Sequence, residues 1–152
     1  MKTLEPILAK HPFFAGLQPH YLELVTGCAS NMHFKAGETI FQEGDEAKQF
    51  FIIREGTLRL QVFAPGQGEI SIQTLESGDV VGWSWLFPPH RWHFTGRATS
   101  ALRVIALDGQ CLYTKCEQDH GLGYEFLKRF SHIMMDRLQA TRLQLLDLYK
   151  VN

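Results

Sequence analysis

Three textures of hydrophobic and polar positions follow one another along the chain. Residues 4–27 carry apolar positions at helical spacing, in pieces. Leu4, Ile7 and Leu8 form one group, His11-Pro12 breaks it, and Gln18-Pro19 opens another with Tyr21, Leu22, Leu24 and Val25, stopped at Gly27. From Asn31 the spacing shortens. MHFKAGETIFQEGD, FFIIREG, TLRLQVF, EISIQTL and LRVIALD are short runs rich in Ile, Val, Phe and Thr, with Gly56, Pro65-Gly66-Gln67-Gly68, Gly78-Asp79 and Gly109 between or after them. Leu58, Leu60 and Val62 alternate with Thr57, Arg59 and Gln61, and Ile70 and Ile72 with Ser71 and Gln73, which predicts strands with one wet face. About eight such strands predict an antiparallel sandwich or jelly roll.

After Gly109 the helical period returns. CLYTKCEQ predicts a short helix, Gly121 and Gly123 a joint, and residues 124–149 one long helix without Pro or Gly. Leu127, Met134, Thr141 and Leu148 recur every seven residues, with Leu138 and Leu145 between them, which is a seam suited to a second copy. Packing of the same face wholly within one chain is the alternative. The expected organisation is a single domain over 1–152, with N-terminal helices to about residue 30, a β-roll over 31–108 and C-terminal helices over 109–152.

Composition narrows the function. The chain has 152 residues, is 45% hydrophobic, and balances 15 Lys plus Arg against 16 Asp plus Glu. No basic patch points to nucleic acid. Lys128-Arg129, Arg137 and Arg142 alternate with Glu125, Asp136 and Asp147, as on a solvated helix face. No run is long and apolar enough for a membrane span or leader. Three cysteines, Cys28, Cys111 and Cys116, without CxxC spacing, read as reduced thiols used in packing, hence a cytoplasmic protein.

Candidate chemistry concentrates in residues 78–100, GDVVGWSWLFPPHRWHFTGRATS. Gly82 precedes a predicted helical turn, Trp83-Ser84-Trp85-Leu86-Phe87, which Pro88-Pro89 stop. A glycine at the mouth of a turn lets backbone N–H groups approach an anion, and Arg91 offers a planar fork for it. Trp83, Trp85 and Trp92 offer flat walls, or plugs. His90 and His93 lack further ligands at metal spacing, and no nucleophile–base order stands out, so no metal, cofactor or catalytic residue is expected.

The order of elements and the glycine punctuation Phe34–Gly37–Ile40–Gly44-Asp45, Phe51-Ile52-Ile53–Glu55-Gly56 and Gly78-Asp79–Gly82 resemble the cyclic-nucleotide-binding domains of the catabolite activator family. The likeness spans roughly residues 10–149. It implies that Gly82–Thr99 is a phosphate-binding cassette, with Gly82 matching its glycine and Arg91 the arginine that holds the cyclic phosphate. Arg97 is a rival, since Arg97-Ala98-Thr99 also matches a family pattern. The family's ribose-binding glutamate falls at Trp83, which cannot accept a hydrogen bond. The small residue after the arginine falls at Trp92, an indole aimed at the purine or the phosphate.

The resemblance therefore implies a stand-alone, dimeric, non-enzymatic sensor with a divergent cassette of Gly82, Trp83, Ser84, Trp85, Arg91, Trp92 and Arg97, taking a small anionic ligand rather than ordinary cyclic AMP. The chain ends after the long helix where relatives carry a helix-turn-helix, which implies no DNA binding of its own. The competing readings are an interaction or scaffold module with an empty pocket, and a metal-dependent jelly-roll enzyme.

Overall fold

The computed structural model describes residues 4–149; the outermost residues of the predicted terminal segments, 1–3 and 150–152, lie outside them. Helices α1 (Glu5–Lys10) and α2 (Pro19–Thr26), with a 3-10 turn at Pro12–Phe14 between them, precede eight strands. These are β1 (Ala29–Phe34), β2 (Thr39–Phe41), β3 (Gln49–Glu55), β4 (Leu58–Ala64), β5 (Gly68–Leu75), β6 (Val80–Val81), β7 (Thr95–Ala98) and β8 (Leu102–Asp108). Helices α3 (Gly109–Gln118) and α4 (His120–Tyr149) close the chain. The strands form two antiparallel sheets, β1-β8-β3-β6 and β2-β7-β4-β5, as the sequence predicts for a jelly roll.

Two cores explain two kinds of strand. Phe51 and Ile53 of β3, and Val104 and Ala106 of β8, face the other sheet, together with Leu58, Leu60, Val81, Ala98 and Phe41. Phe50, Ile52, Ile105 and Leu107 face the opposite way, onto Leu8, Phe13, Val25, Leu112, Leu122, Phe126 and Phe130 of the helical segments. Strands β3 and β8 are thus buried on both sides, which is why FFII and VIAL read as unbroken apolar runs. In β4, Leu58 and Leu60 are buried and Val62 half-buried on one face, while Arg59 on the other is exposed. Phe63 lies on the wet face with Arg59 and is exposed, whereas Gln61 on that face is covered and bonds Arg97; the register shift between Leu60 and Gln61 leaves Ile72 of β5 as the extra residue.

Several local expectations are corrected. The first strand begins at Ala29, not Asn31. Gly121 and Gly123 lie inside α4, and the joint is Asp119, whose carboxylate accepts from the Gly121 and Leu122 amides and from the Tyr21 hydroxyl. Asp119 supplies the acceptor that the first turn of a helix lacks, so α4 starts there despite its glycines. Gly109, which follows the last strand as expected, is the first residue of α3. A Cβ on it would lie 2.8 Å from both Lys48 O and the Trp85 Cβ, so only glycine fits.

The cysteines are also corrected. Cys28 and Cys111 form a disulfide, and only Cys116 is a free thiol among the described residues. Their separation of 83 residues hides the pairing in the sequence. Pairing of Ala29 with Leu107 brings Cys28 beside the end of β8, and the first turn of α3 returns over it. The reduced-thiol premise for a cytoplasmic protein therefore falls. Arg129 and Arg137 also leave the solvated face expected of them. Arg129 donates to Phe13 O, Ala15 O and Glu125, fastening the N-terminal segment to α4.

Phe130 has no exposed surface and meets Phe13, Phe50 and Trp85 at ring-centroid distances of 5.0, 5.1 and 5.8 Å. Phe130→Ala is expected to cost about 3–5 kcal/mol in denaturant unfolding; a loss below ~1 kcal/mol would show that α4 is not seated as described.

Candidate functional site

The cassette begins as β6 ends. Gly82 has φ +103, open to glycine at little cost. The next residues form a single hydrogen-bonded turn, Leu86 N–H to Trp83 O, where one helical turn is expected. Pro88-Pro89 follow with a cis bond between them. His90 takes φ +58, its amide donates to Phe87 O, and its Nδ1 lies 3.2 Å from Ser84 O.

From His90 the chain runs extended along the Gly44–Ala47 loop. Ala47 N–H donates to His90 O, Trp92 N–H to Asp45 O, and Gly44 N–H to Trp92 O. Glu46 and Arg91 form an isolated antiparallel bridge. Neighbours on an extended chain point to opposite faces, so pinning this segment sends one residue in and the next out. Trp92 goes in. It is 5% exposed, stacks on Phe41 at 3.7 Å with planes 9° apart, and lies 6.4 Å from Phe51 within the roll core. Arg91 goes out, where it is exposed and donates to Gly44 O at 3.2 Å.

Trp92 thus lies inside the roll and Arg91 outside it. A Cβ placed on Gly82 would lie 2.7 Å from Trp92 Cη2 and 3.0 Å from Cζ3. The indole edge occupies the space in front of the glycine. The cavity that remains beside Trp92, between Phe41, Phe51 and the Asp45–Gln49 loop, is about 180 Å³. Small-molecule sites usually offer about 300–1,000 Å³.

Arg97 also faces away from the roll interior. It pairs in register with Arg59 and Thr39, while its neighbour Ala98 is in the roll core and a Cβ on Gly96 would strike the Phe41 ring. Its guanidinium bonds Gln61 Oε1 at 3.3 Å and Glu69 at 3.5 Å on the outer face.

The other tryptophans serve the helices. Trp85, 3% exposed, stacks on Phe50 and meets Phe126 and Phe130 edge-on, which anchors the turn to α4. Trp83 is half-buried under Arg137 of α4, whose guanidinium carbon lies 5.1 Å from the ring centroid. Arg137 also donates to Val80 O. Burial lowers its pKa to about 10, with a smaller opposing pull from Asp79. The structure therefore separates the predicted ligand set. Gly82 and Trp92 stay together; Trp83 and Trp85 turn to the helical core, and Arg91 and Arg97 lie at two separate places on the outside. Arg137 and Phe41 were not foreseen. Arg137 lies one helical turn beyond Ile133 and seven residues beyond Phe130, on the body-facing side of α4, and this spacing could have singled it out.

The family model for the cyclic nucleotide-binding domain matches residues 31–119, more than half of the chain, and the chain belongs to that family. A curated relative, the CRP-like cAMP-activated global transcriptional regulator of Mycobacterium tuberculosis, is 23% identical over 145 residues, 95% of this chain. The chain spans 63% of that relative's length. Among solved structures, a protein of Geobacter metallireducens GS-15 described as a candidate cyclic nucleotide-binding protein superposes with TM-score 0.79 at 25% identity, covering 91% of this chain and 99% of its own. A cyclic nucleotide-binding domain from Methylobacillus flagellatus KT superposes with TM-score 0.80 at 14% identity, covering 100% and 89%. The described residues include no helix long and apolar enough to cross a membrane.

Gly82→Ala is expected to destabilise by about 1–3 kcal/mol, from left-handed strain and the clash with Trp92. Combined with Trp92→Ala the two losses should be less than additive, because they act on one space. Chemical unfolding of the four variants in this cycle measures the coupling; strict additivity would contradict the contact.

Proposed function

We propose that this chain is a non-enzymatic regulatory module of the cyclic-nucleotide-binding family whose cassette is filled by its own Trp92, and which acts by presenting α4 to a second copy. The observation that carries the reading is Trp92 in front of Gly82, with Arg91 on the outside. An anion approaching the Gly82 amide would have to displace an indole stacked on Phe41, and no guanidinium faces it from within the roll. Trp83 adds a second obstacle, since losing a charged acceptor for a ribose hydroxyl costs roughly 1.5–3 kcal/mol, or about ten- to a hundredfold in affinity. Binding of a different small anion belongs to this reading only if the His90–Trp92 segment unzips from Gly44–Ala47. A cytoplasmic setting, as for a transcriptional regulator such as the curated relative, completes the proposal.

The surface of α4 supports the dimer. Leu122, Phe126 and Phe130 of its first half are buried in the body, Ile133 packs against the same core, and farther along Arg137 and Gln144 bond to it, Gln144 donating to Ile72 O of β5. The predicted seam lies on the neighbouring sector of the helix. Leu127, Leu138, Thr141, Leu145 and Leu148 are exposed and Met134 half-buried; Leu138, Leu145 and Leu148 are 59, 50 and 72% exposed. Such a stripe, about 30 Å long from Leu127 to Leu148, is large for an unpartnered surface. A two-fold pairing would cover it, residue facing residue. Trp83 and Arg137 then link the cassette turn to that seam.

Calorimetry is expected to show no sub-micromolar binding of cyclic AMP to the wild type; such binding would sink the filled-cassette reading. Trp83→Glu should gain affinity only when Trp92 is also made small. Light scattering should report a dimer at tens of micromolar that Leu138→Lys with Leu145→Lys dissociates. A wild-type monomer with an intact α4 would remove the second copy.

A further inference from the structure

The two cysteines of α3 sit in opposite environments. Cys116 is 7% exposed, bonded to nothing, and its thiol is pushed up to about 11 chiefly by burial, with Glu117 and Asp119 adding to it. Cys111 is only half-buried and stands in the first turn of this ten-residue helix, next to the capping Asp108. The Lys115 ammonium lies 3.4 Å from its sulfur. A helix N-terminus and an adjacent ammonium both favour a thiolate, and the Asp108 carboxylate, which accepts from the Cys111 amide, opposes them in part. Cys28, by contrast, is 7% exposed. An accessible, cation-backed thiol bonded to a buried one is the arrangement of an attacking and a resolving cysteine.

We propose that Cys111 is a redox-modified thiol and Cys28 its resolving partner, so that their crosslink forms and breaks by exchange with a small thiol of the glutathione class. In the reducing direction, an external thiolate attacks the Cys111 sulfur. A mixed disulfide forms there, and Cys28 leaves as a thiolate that takes a proton. A second external thiolate then attacks the external sulfur of the mixed disulfide and expels the Cys111 thiolate, which Lys115 stabilises. Two small thiols are oxidised to one small disulfide, and the protein gains two electrons. Oxidation reverses both steps: Cys111 attacks a small disulfide, and Cys28 then attacks Cys111 and expels the second small thiol. The bond joins Cys28, between α2 and β1, to the first turn of α3, while the Tyr21–Asp119 hydrogen bond ties α2 to the far end of α3. Its state therefore decides whether the α2–β1 junction is crosslinked to the start of α3.

The test is exposure of the reduced full chain to oxidised glutathione, followed by intact-mass and peptide mapping. Cys28→Ser should accumulate one glutathionyl adduct on Cys111 and none on Cys116. Lys115→Met should slow the adduct severalfold, and Lys115→Arg should restore its rate. In the wild type, samples quenched with acid should show the Cys111 adduct first and the Cys28–Cys111 bond later. No adduct on Cys111, an equally fast adduct on Cys116 or Cys28, or a Lys115→Met rate equal to wild type would overturn the assignment.

Discussion

The stacking of Trp92 on Phe41, edge against Gly82, sets the character of this molecule. Residues 90–92 are zipped to residues 44–47 by backbone hydrogen bonds, so the side chains of Arg91 and Trp92 must take opposite faces. With the indole inside, the roll has a dry aromatic centre of Phe41, Phe51 and Trp92. With the arginine outside, its guanidinium donates to a loop carbonyl, that of Gly44. Reversing this would bury a charge and expose a large ring together, and both changes are unfavourable.

The cassette is tied to the rest of the chain by its other two tryptophans. Trp85 sits in the core beneath the helices, and Trp83 lies under Arg137. The turn between Gly82 and Pro88 is thus held from one side by the roll and from the other by α4. Gly82, against which the Trp92 ring lies, is joined through the backbone to Trp83 and Trp85, which meet α4. The exposed stripe beyond Leu127 is where a disturbance of that turn would be read by a second copy.

Much of this was legible in the sequence. The alternation of Leu58 and Leu60 with Arg59 in β4 and the double-sided apolar runs in β3 and β8 are direct images of burial, and they defined the roll. Gly82 was legible as a position that tolerates only glycine, although the neighbour that requires it is an indole rather than a phosphate. What the sequence hid depends on long-range registry. The face chosen by Arg91 depends on pairing with a loop 47 residues earlier. The Cys28–Cys111 bond depends on β1 meeting β8. Arg137 looked like one more charge on a polar helix until α4 was laid against β6.

The claim that Trp92 permanently occupies the cassette is tested most directly by fluorine NMR of the chain carrying 5-fluorotryptophan, with the three resonances assigned by Trp→Phe substitution. The account predicts one narrow Trp92 resonance that neither shifts nor splits as cyclic AMP is raised to millimolar concentration. A Trp92 resonance that moves or exchanges with a second, solvent-exposed state on addition of cyclic AMP would contradict it.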